Sequence, residues 1–319
     1  MTSNAIEGLY TERSLYMKIN PVYKKELKIS VRTIKTALII LGYNGLLALF
    51  GLFAFYATFE YGSRYGGTIN YAAVLELYAI IAAVEFGLVL FTVPALTAGS
   101  ISGEREKQTL DILLTTKLTP IQIILGKLAS SISIMILLAL SSLPIISLVF
   151  SIGGVTFIDL FEFMALIIIT AVYVGSIGIF FSCLFKKTTA ATVSTYGALL
   201  ILVLGTFFIL TAAVILKDMK TATLVNQTNY LYQSPKAGYW VLIYLVNPAI
   251  TCFAMIEGQI GTGSGFVSFI REFGVTSQWI ENNWFFISVT VQGVLSLLFI
   301  YSSSRLLNPL KEKRNRNKK

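Results

Sequence analysis

Long stretches without a charged residue alternate with short polar breaks along this chain of 319 residues. The uncharged runs are 36–59, 86–103, 128–158, 163–185, 188–216 and 285–304. A helix needs about 20 predominantly apolar residues to cross the hydrocarbon core of a bilayer, and each run reaches that length with small extensions. They predict six spans, roughly 36–58, 71–97, 119–150, a fourth ending at Phe185, 189–216 and 285–304. Ahead of the first, Asn20 in a capping position and Pro21 in the first turn predict a helix start. Tyr23, Leu27, Val31, Ile34 and Leu38 then recur at helical spacing, with Lys24, Lys25, Lys28, Arg32 and Lys35 over much of the remaining surface. That is the pattern of a basic amphipathic helix lying in a membrane interface.

The break between the second and third runs is different in kind. Residues 98–127 read AGSISGEREKQTLDILLTTKLTPIQIILGK, and five ionisable groups fall within eight positions: Glu104, Arg105, Glu106, Lys107 and Asp111. Each would cost several kcal/mol, as an order of magnitude, if left unpartnered in hydrocarbon. The insert therefore belongs at a membrane surface, where it can dock a soluble partner. Leu110, Leu113, Leu114 and Leu118 form a helical stripe away from the charges. Thr119-Pro120-Ile121-Gln122 has the form of a capping box that restarts a helix, and Lys127 follows near the end of the next span, where its amine is expected to snorkel.

Residues 237–256 form another uncharged run of spanning length. Asn247-Pro248 interrupts it, because proline removes a helix donor and disfavours helical backbone before it. A re-entrant or interfacial hairpin is expected there, followed by a flexible glycine-rich loop over 258–265.

Charge sets the expected orientation. With six spans and both termini inside, 20 of the 25 lysines and arginines fall on the inner side, as the positive-inside rule requires. The same distribution accounts for the net charge of +9 through anionic lipid, without nucleic acid. The chain divides into an N-terminal segment 1–35, a six-span domain 36–305 and a basic tail 306–319. Within the domain, 98–127 is cytoplasmic and 217–284 extracytoplasmic. No cleavable leader pattern precedes the first run, so that run is expected to be retained.

The chain contains no histidine, and its two cysteines, Cys183 and Cys252, fall on opposite sides in this topology, so no disulfide is expected. GxxxxGK[ST], HExxH and CxxC are all absent, which leaves no sequence basis for a catalytic, metal or cofactor site. Energy must then come from another chain. Glu85, deep in the second span, is a candidate intramembrane polar site, and its bland reading is a carboxyl bonded to Ser, Thr or Tyr of a neighbouring helix. An ion-gradient-driven transporter or channel is the alternative that such a residue would serve.

Taken together, Asn20-Pro21, Lys25-Glu26-Leu27 and Arg32, the run Gly103 to Asp111, Leu113-Leu114, Thr119-Pro120, Gly126-Lys127 and Asn247-Pro248 resemble the membrane subunit of a bacterial ABC-2 type ABC exporter. Relatives in that family often carry Gly where Gln108 stands and Glu where Asp111 stands. The resemblance implies an all-α integral membrane protein whose insert is a cytoplasmic coupling helix in a cleft of a separate ABC ATPase. Glu104, Arg105, Glu106, Thr109, Leu110 and Leu113 would face that ATPase, with the interface helix of Lys25, Glu26 and Arg32 beside them. It further implies two ATPase copies holding ATP and Mg, a second permease, identical or homologous, and a plasma-membrane location. The exported cargo would be a peptide, an antibiotic or a lipid-like or other amphiphilic molecule.

Overall fold

The computed structural model describes residues 20–31, 33–64, 71–152, 156–228, 238–261, 264–274 and 276–307, and their regular structure is helical. In chain order the helices are α1 (Pro21–Val31), α2 (Ile34–Arg64), α3 (Tyr71–Thr97), α4 (Ser102–Glu106), α5 (Leu110–Leu114), α6 (Pro120–Ile152), α7 (Phe157–Leu184), α8 (Thr188–Leu200) and α9 (Thr206–Thr228). A π-helical turn, Ile201–Gly205, joins α8 to α9. A 3-10 segment, Gly238–Val246, leads into α10 (Pro248–Ile260), α11 (Ser264–Phe273), α12 (Gln278–Asn282) and α13 (Trp284–Leu306). Among the described residues six stretches are long and apolar enough to cross a membrane: within α2, α3 with α4, α6, α7, α8 with α9, and α13. This is an all-α integral membrane protein.

The bundle is built around α7, which packs against α3, α6, α8, α10 and α13. Thr156 opens it with a capping box, donating to and accepting from Asp159. Of its apolar window 67% is buried, against 17% for the fifth span. Phe163, Leu166, Ile167, Val174 and Ile179 fill the interior, while Gly175 and Gly178 let other helices approach closely. A Cβ on Gly178 would stand 3.0 Å from Thr97 Cβ, and one on Gly175 would stand 2.9 Å from Leu128 Cδ1. The outward leucines and phenylalanines of α2, α8 and α9 are exposed, as surfaces meant for lipid or another chain must be.

At one end, the 3-10 segment and α10 meet at 95°. Asn247 makes that corner. Its Oδ1 accepts from the N–H groups of Ala249 and Ile250, capping α10, and its Nδ2 donates to Val203 O (3.0 Å) and Thr206 Oγ1 (2.8 Å). Val203 lies in the π-helical turn, whose widened backbone leaves this carbonyl available. Gln292 of α13 donates to Leu245 O and Thr251 Oγ1 on either side of the corner. Protein groups thus satisfy non-helical backbone that lipid could not. The expected break at Asn247-Pro248 is where the chain bends, but most of the expected glycine-rich loop is helical. Helix α10 runs through Gly258 to Ile260, and α11 begins at Ser264, because its apolar residues pack as Phe266, Phe269 and Phe273 around Tyr244 and Phe253.

At the other end α1 lies along the start of α6. Asn20 accepts from Val22 N (3.0 Å), as its capping position predicts, and Tyr23 OH meets Ser133 Oγ at 3.0 Å. On α1 the face turned to the bundle holds Tyr23 of the expected stripe and also buried Val22, whereas Ile34 and Leu38 of α2 are exposed. The chain departs from helix after Val31, so the stripe from Tyr23 to Leu38 belongs to two separate helices.

Candidate functional site

Between Thr97 and Pro120 the chain leaves the bundle and returns as two short helices, and the start, Arg105 and Glu106 of the first are tied to the corner between α7 and α8. Ser182 Oγ accepts from the N–H groups of Ile101 (2.9 Å) and Ser102 (3.0 Å), which the start of α4 would otherwise leave without partners. Arg105 donates to Phe185 O (3.0 Å) and Cys183 O (3.4 Å), the free carbonyls at the C-terminal end of α7. Glu106 accepts from Thr188 N (3.0 Å) and Thr188 Oγ1 (2.9 Å), closing the N-terminal end of α8. Those bonds, the backbone one first, hold the Glu106 carboxyl below the ordinary glutamate range.

The charged stretch is not one helix. Gln108 takes a left-handed conformation, φ 58°. Its N–H bonds Arg105 O (3.1 Å) and the Thr109 N–H bonds Glu104 O (2.9 Å), the two hydrogen bonds of a Schellman stop. This explains why a glycine suits the position. After the stop, α5 turns Leu110 into an apolar cluster with Ile101, Ile123, Ile124, Leu128 and Ile179, with Leu113, Leu114 and Leu118 against its edge. Then the capping box appears as its residues predict: Thr119 N–H donates to Gln122 Oε1 (2.9 Å), and Gln122 N–H to Thr119 Oγ1 (3.4 Å).

Lys127 departs most from expectation. Its amine does not snorkel. The side chain is 3% exposed and donates to Glu26 of α1 (2.7 Å) and Glu104 of α4 (3.1 Å), whose side chains are 31% and 29% exposed. Burial alone would raise the Glu104 pKa, but the Thr109 hydroxyl and the Lys127 ammonium outweigh it and hold that carboxyl below its usual value. Thr109 Oγ1 donates to Glu104.

The candidate positions Glu104, Arg105, Glu106, Thr109, Leu110 and Leu113 are thus gathered in one insert, each engaged with the chain itself. Lys25 is exposed on α1, Glu26 faces Lys127, and Arg32 lies outside the described residues. What α4 and α5 leave outward is Lys107, Gln108, Asp111, Ile112, Thr115, Thr116 and Lys117. Ile112 is 68% exposed, an isoleucine standing among polar groups. Its position in α5, two residues after buried Leu110, is the signal that could have marked it. Glu26 and Lys127 are 101 residues apart and carry no local signal at all.

Glu85 is 0% exposed between spans. Ser142 Oγ of α6 donates to its Oε1, the neighbouring-helix hydroxyl of the bland reading, while its Oε2 has no hydrogen-bond partner among the described residues.

A bundle of six spanning stretches with a braced polar insert at one end and a bent helix pair at the other is the framework of a membrane transport component. The sequence model of the ABC-2 family transporter protein matches residues 20–254, from the cap of α1 through the insert and into α10. The chain belongs to that family, and so is a permease of an ABC-type transporter, a membrane component that associates with an ABC ATPase subunit. No curated protein matches the sequence.

Proposed function

We propose that this chain forms the translocation path of an ABC exporter and that the insert is the surface on which the ABC ATPase sits. The observation that carries the reading is Ile112. An isoleucine 68% exposed, on a helix whose other apolar side chains turn inward, is a contact awaiting a partner. Its rim of Asp111, Thr115, Thr116 and Lys117 is polar and exposed. In this arrangement Glu104, Arg105 and Glu106 support the docking surface from within by fixing the insert to α6, α7 and α8. The insert, both termini and the short α7–α8 link face the cytoplasm of a bacterial cell, in keeping with the concentration of basic residues there.

Two ATPase copies, holding ATP and Mg, act beneath this permease and a second one, identical or homologous. Closure of the ATPases on ATP pushes the insert, and the braces carry the displacement into α3, α6, α7 and α8. The aromatic cluster of α10 and α11 caps the outer end of a path for a peptide, antibiotic, lipid-like or other amphiphilic cargo. Co-purification with the ABC ATPase tests the reading. Ile112→Glu is expected to weaken association by roughly tenfold or more, the loss of one apolar anchor, while the permease still inserts and purifies. Unchanged association would refute it. Thiol labelling tests the orientation: Ser277→Cys should react with an impermeant maleimide from outside, and Thr116→Cys only after the membrane is opened.

A further inference from the structure

Lys127 bonds two elements that are far apart in sequence and that the docking reading treats separately. Its amine reaches Glu26 on α1 at 2.7 Å and Glu104 on α4 at 3.1 Å, from the first turns of α6. The approach of α1 that makes this possible depends on Gly126, where a Cβ would stand 3.0 Å from both Val22 Cβ and Asn20 Nδ2. A nearly buried ammonium cannot drop one carboxylate without a desolvation cost, so the three groups hold one geometry while their backbones move. Helix α1 has its own attachments to α6, through Asn20 with Gln122 O and Tyr23 with Ser133. These place α1 on the bundle but touch no part of α4 or α5.

We infer that Lys127 is the joint through which displacement of the insert reaches the N-terminal helix, making Lys127 and Glu26 positioning residues of the transport cycle. The inference rests on the docking reading above and assigns it a route. Push on α4 moves Glu104, Lys127 follows Glu104, and Glu26 draws α1 along the membrane surface. Exposed Lys24, Lys25 and Lys28 on α1 would then slide against lipid headgroups rather than stay fixed.

The test uses the full permease with its ABC ATPase in phospholipid nanodiscs, with one environment-sensitive fluorophore at Thr116→Cys on the insert or at Lys28→Cys on α1. Cys183 and Cys252 are buried and leave the label to the introduced thiol. Addition of MgATP with vanadate is expected to change both signals in the otherwise unmodified protein. With Glu26→Ala the insert signal persists, the resting α1 signal is unchanged, and the ATP-dependent α1 change is lost. Glu26→Gln, which keeps an acceptor for Lys127, restores part of it. A purely packing role for Glu26 would shift the resting α1 signal instead. An intact α1 response in Glu26→Ala overturns the joint while leaving docking in place. Absence of any insert response in the unmodified protein fails the docking reading and the joint with it.

Discussion

Substituting Gly178 by alanine tests whether the crossing of α3 and α7 sets where the insert begins. The added Cβ would run into Thr97 Oγ1 first, with Thr97 Cβ at 3.0 Å and Ala98 N at 3.4 Å. Thr97 is the last residue of α3, its side chain is buried, and its hydroxyl is committed to Val93 O at 2.8 Å, so it has little room to turn. Carbon atoms pack at about 3.5–4.0 Å, so the Cβ pair alone parts the helices by roughly half an ångström, and the clash with Thr97 Oγ1 asks for more. Overpacking of this size costs about 1–3 kcal/mol. One turn further along α7, Ser182 holds the Ile101 and Ser102 amides, so the shift also strains the attachment of α4. For a domain of a few hundred residues, about 2 kcal/mol lowers the melting temperature by roughly 4–8 °C. A fluorogenic thiol reagent can follow unfolding, because Cys183 and Cys252 are both free and buried. Thr97→Ala in the same chain should recover part of the loss, giving a coupling of about 1 kcal/mol. An unchanged melting temperature for Gly178→Ala, or strictly additive effects of the two substitutions, would refute the reasoning.

Three further predictions follow from the insert and the hairpin. Gln108→Gly should stabilise the stop between α4 and α5 by up to about 1 kcal/mol, since a left-handed residue with a Cβ is strained; slower amide exchange over residues 104–109 would show it. Glu106 has a folded pKa below its unfolded value of about 4.3, so its bonds to Thr188 contribute fully above that value and are lost as pH falls through the lower folded one. Protection of the Thr188 amide, corrected for intrinsic exchange, should therefore fall on acidification in the wild type, and in Glu106→Ala it should be low at neutral pH and stay so. Asn247→Ala removes a helix cap and two cross-helix bonds, and should cost about 2–3 kcal/mol in the same thiol-reactivity melt.

The spans were legible because each needs only length and a scarcity of charge, and the predicted 71–97, which carries Glu76 and Glu85, still coincides with α3. Caps were legible too: Asn20-Pro21 and Thr119-Pro120-Ile121-Gln122 act locally, and their hydrogen bonds close over two or three residues. The corner at Asn247-Pro248 follows from proline chemistry. Beyond that range the sequence carried less. The stop at Gln108 depends on a left-handed residue that is not glycine, so nothing in the local composition announced it. The close seat of α1 on α6 depends on Gly126, far away in sequence, and the burial of Lys127 is made tolerable by Glu26, 101 residues away. The charges of the insert read locally as solvent-facing groups. Yet Glu104, Arg105 and Glu106 find partners on α6, α7 and α8, and the outward position is apolar Ile112.

Site-specific photo-crosslinking from position 112 tests the central claim most directly. A photoreactive amino acid replacing Ile112 in the full permease, in cells that also express the ABC ATPase, should form a covalent adduct with that ATPase. The same group replacing Trp279, exposed near the bent helix pair, should form none. An adduct from position 279, or no adduct from 112 with the ATPase present in the membrane fraction, would contradict the assignment of the insert as the docking surface.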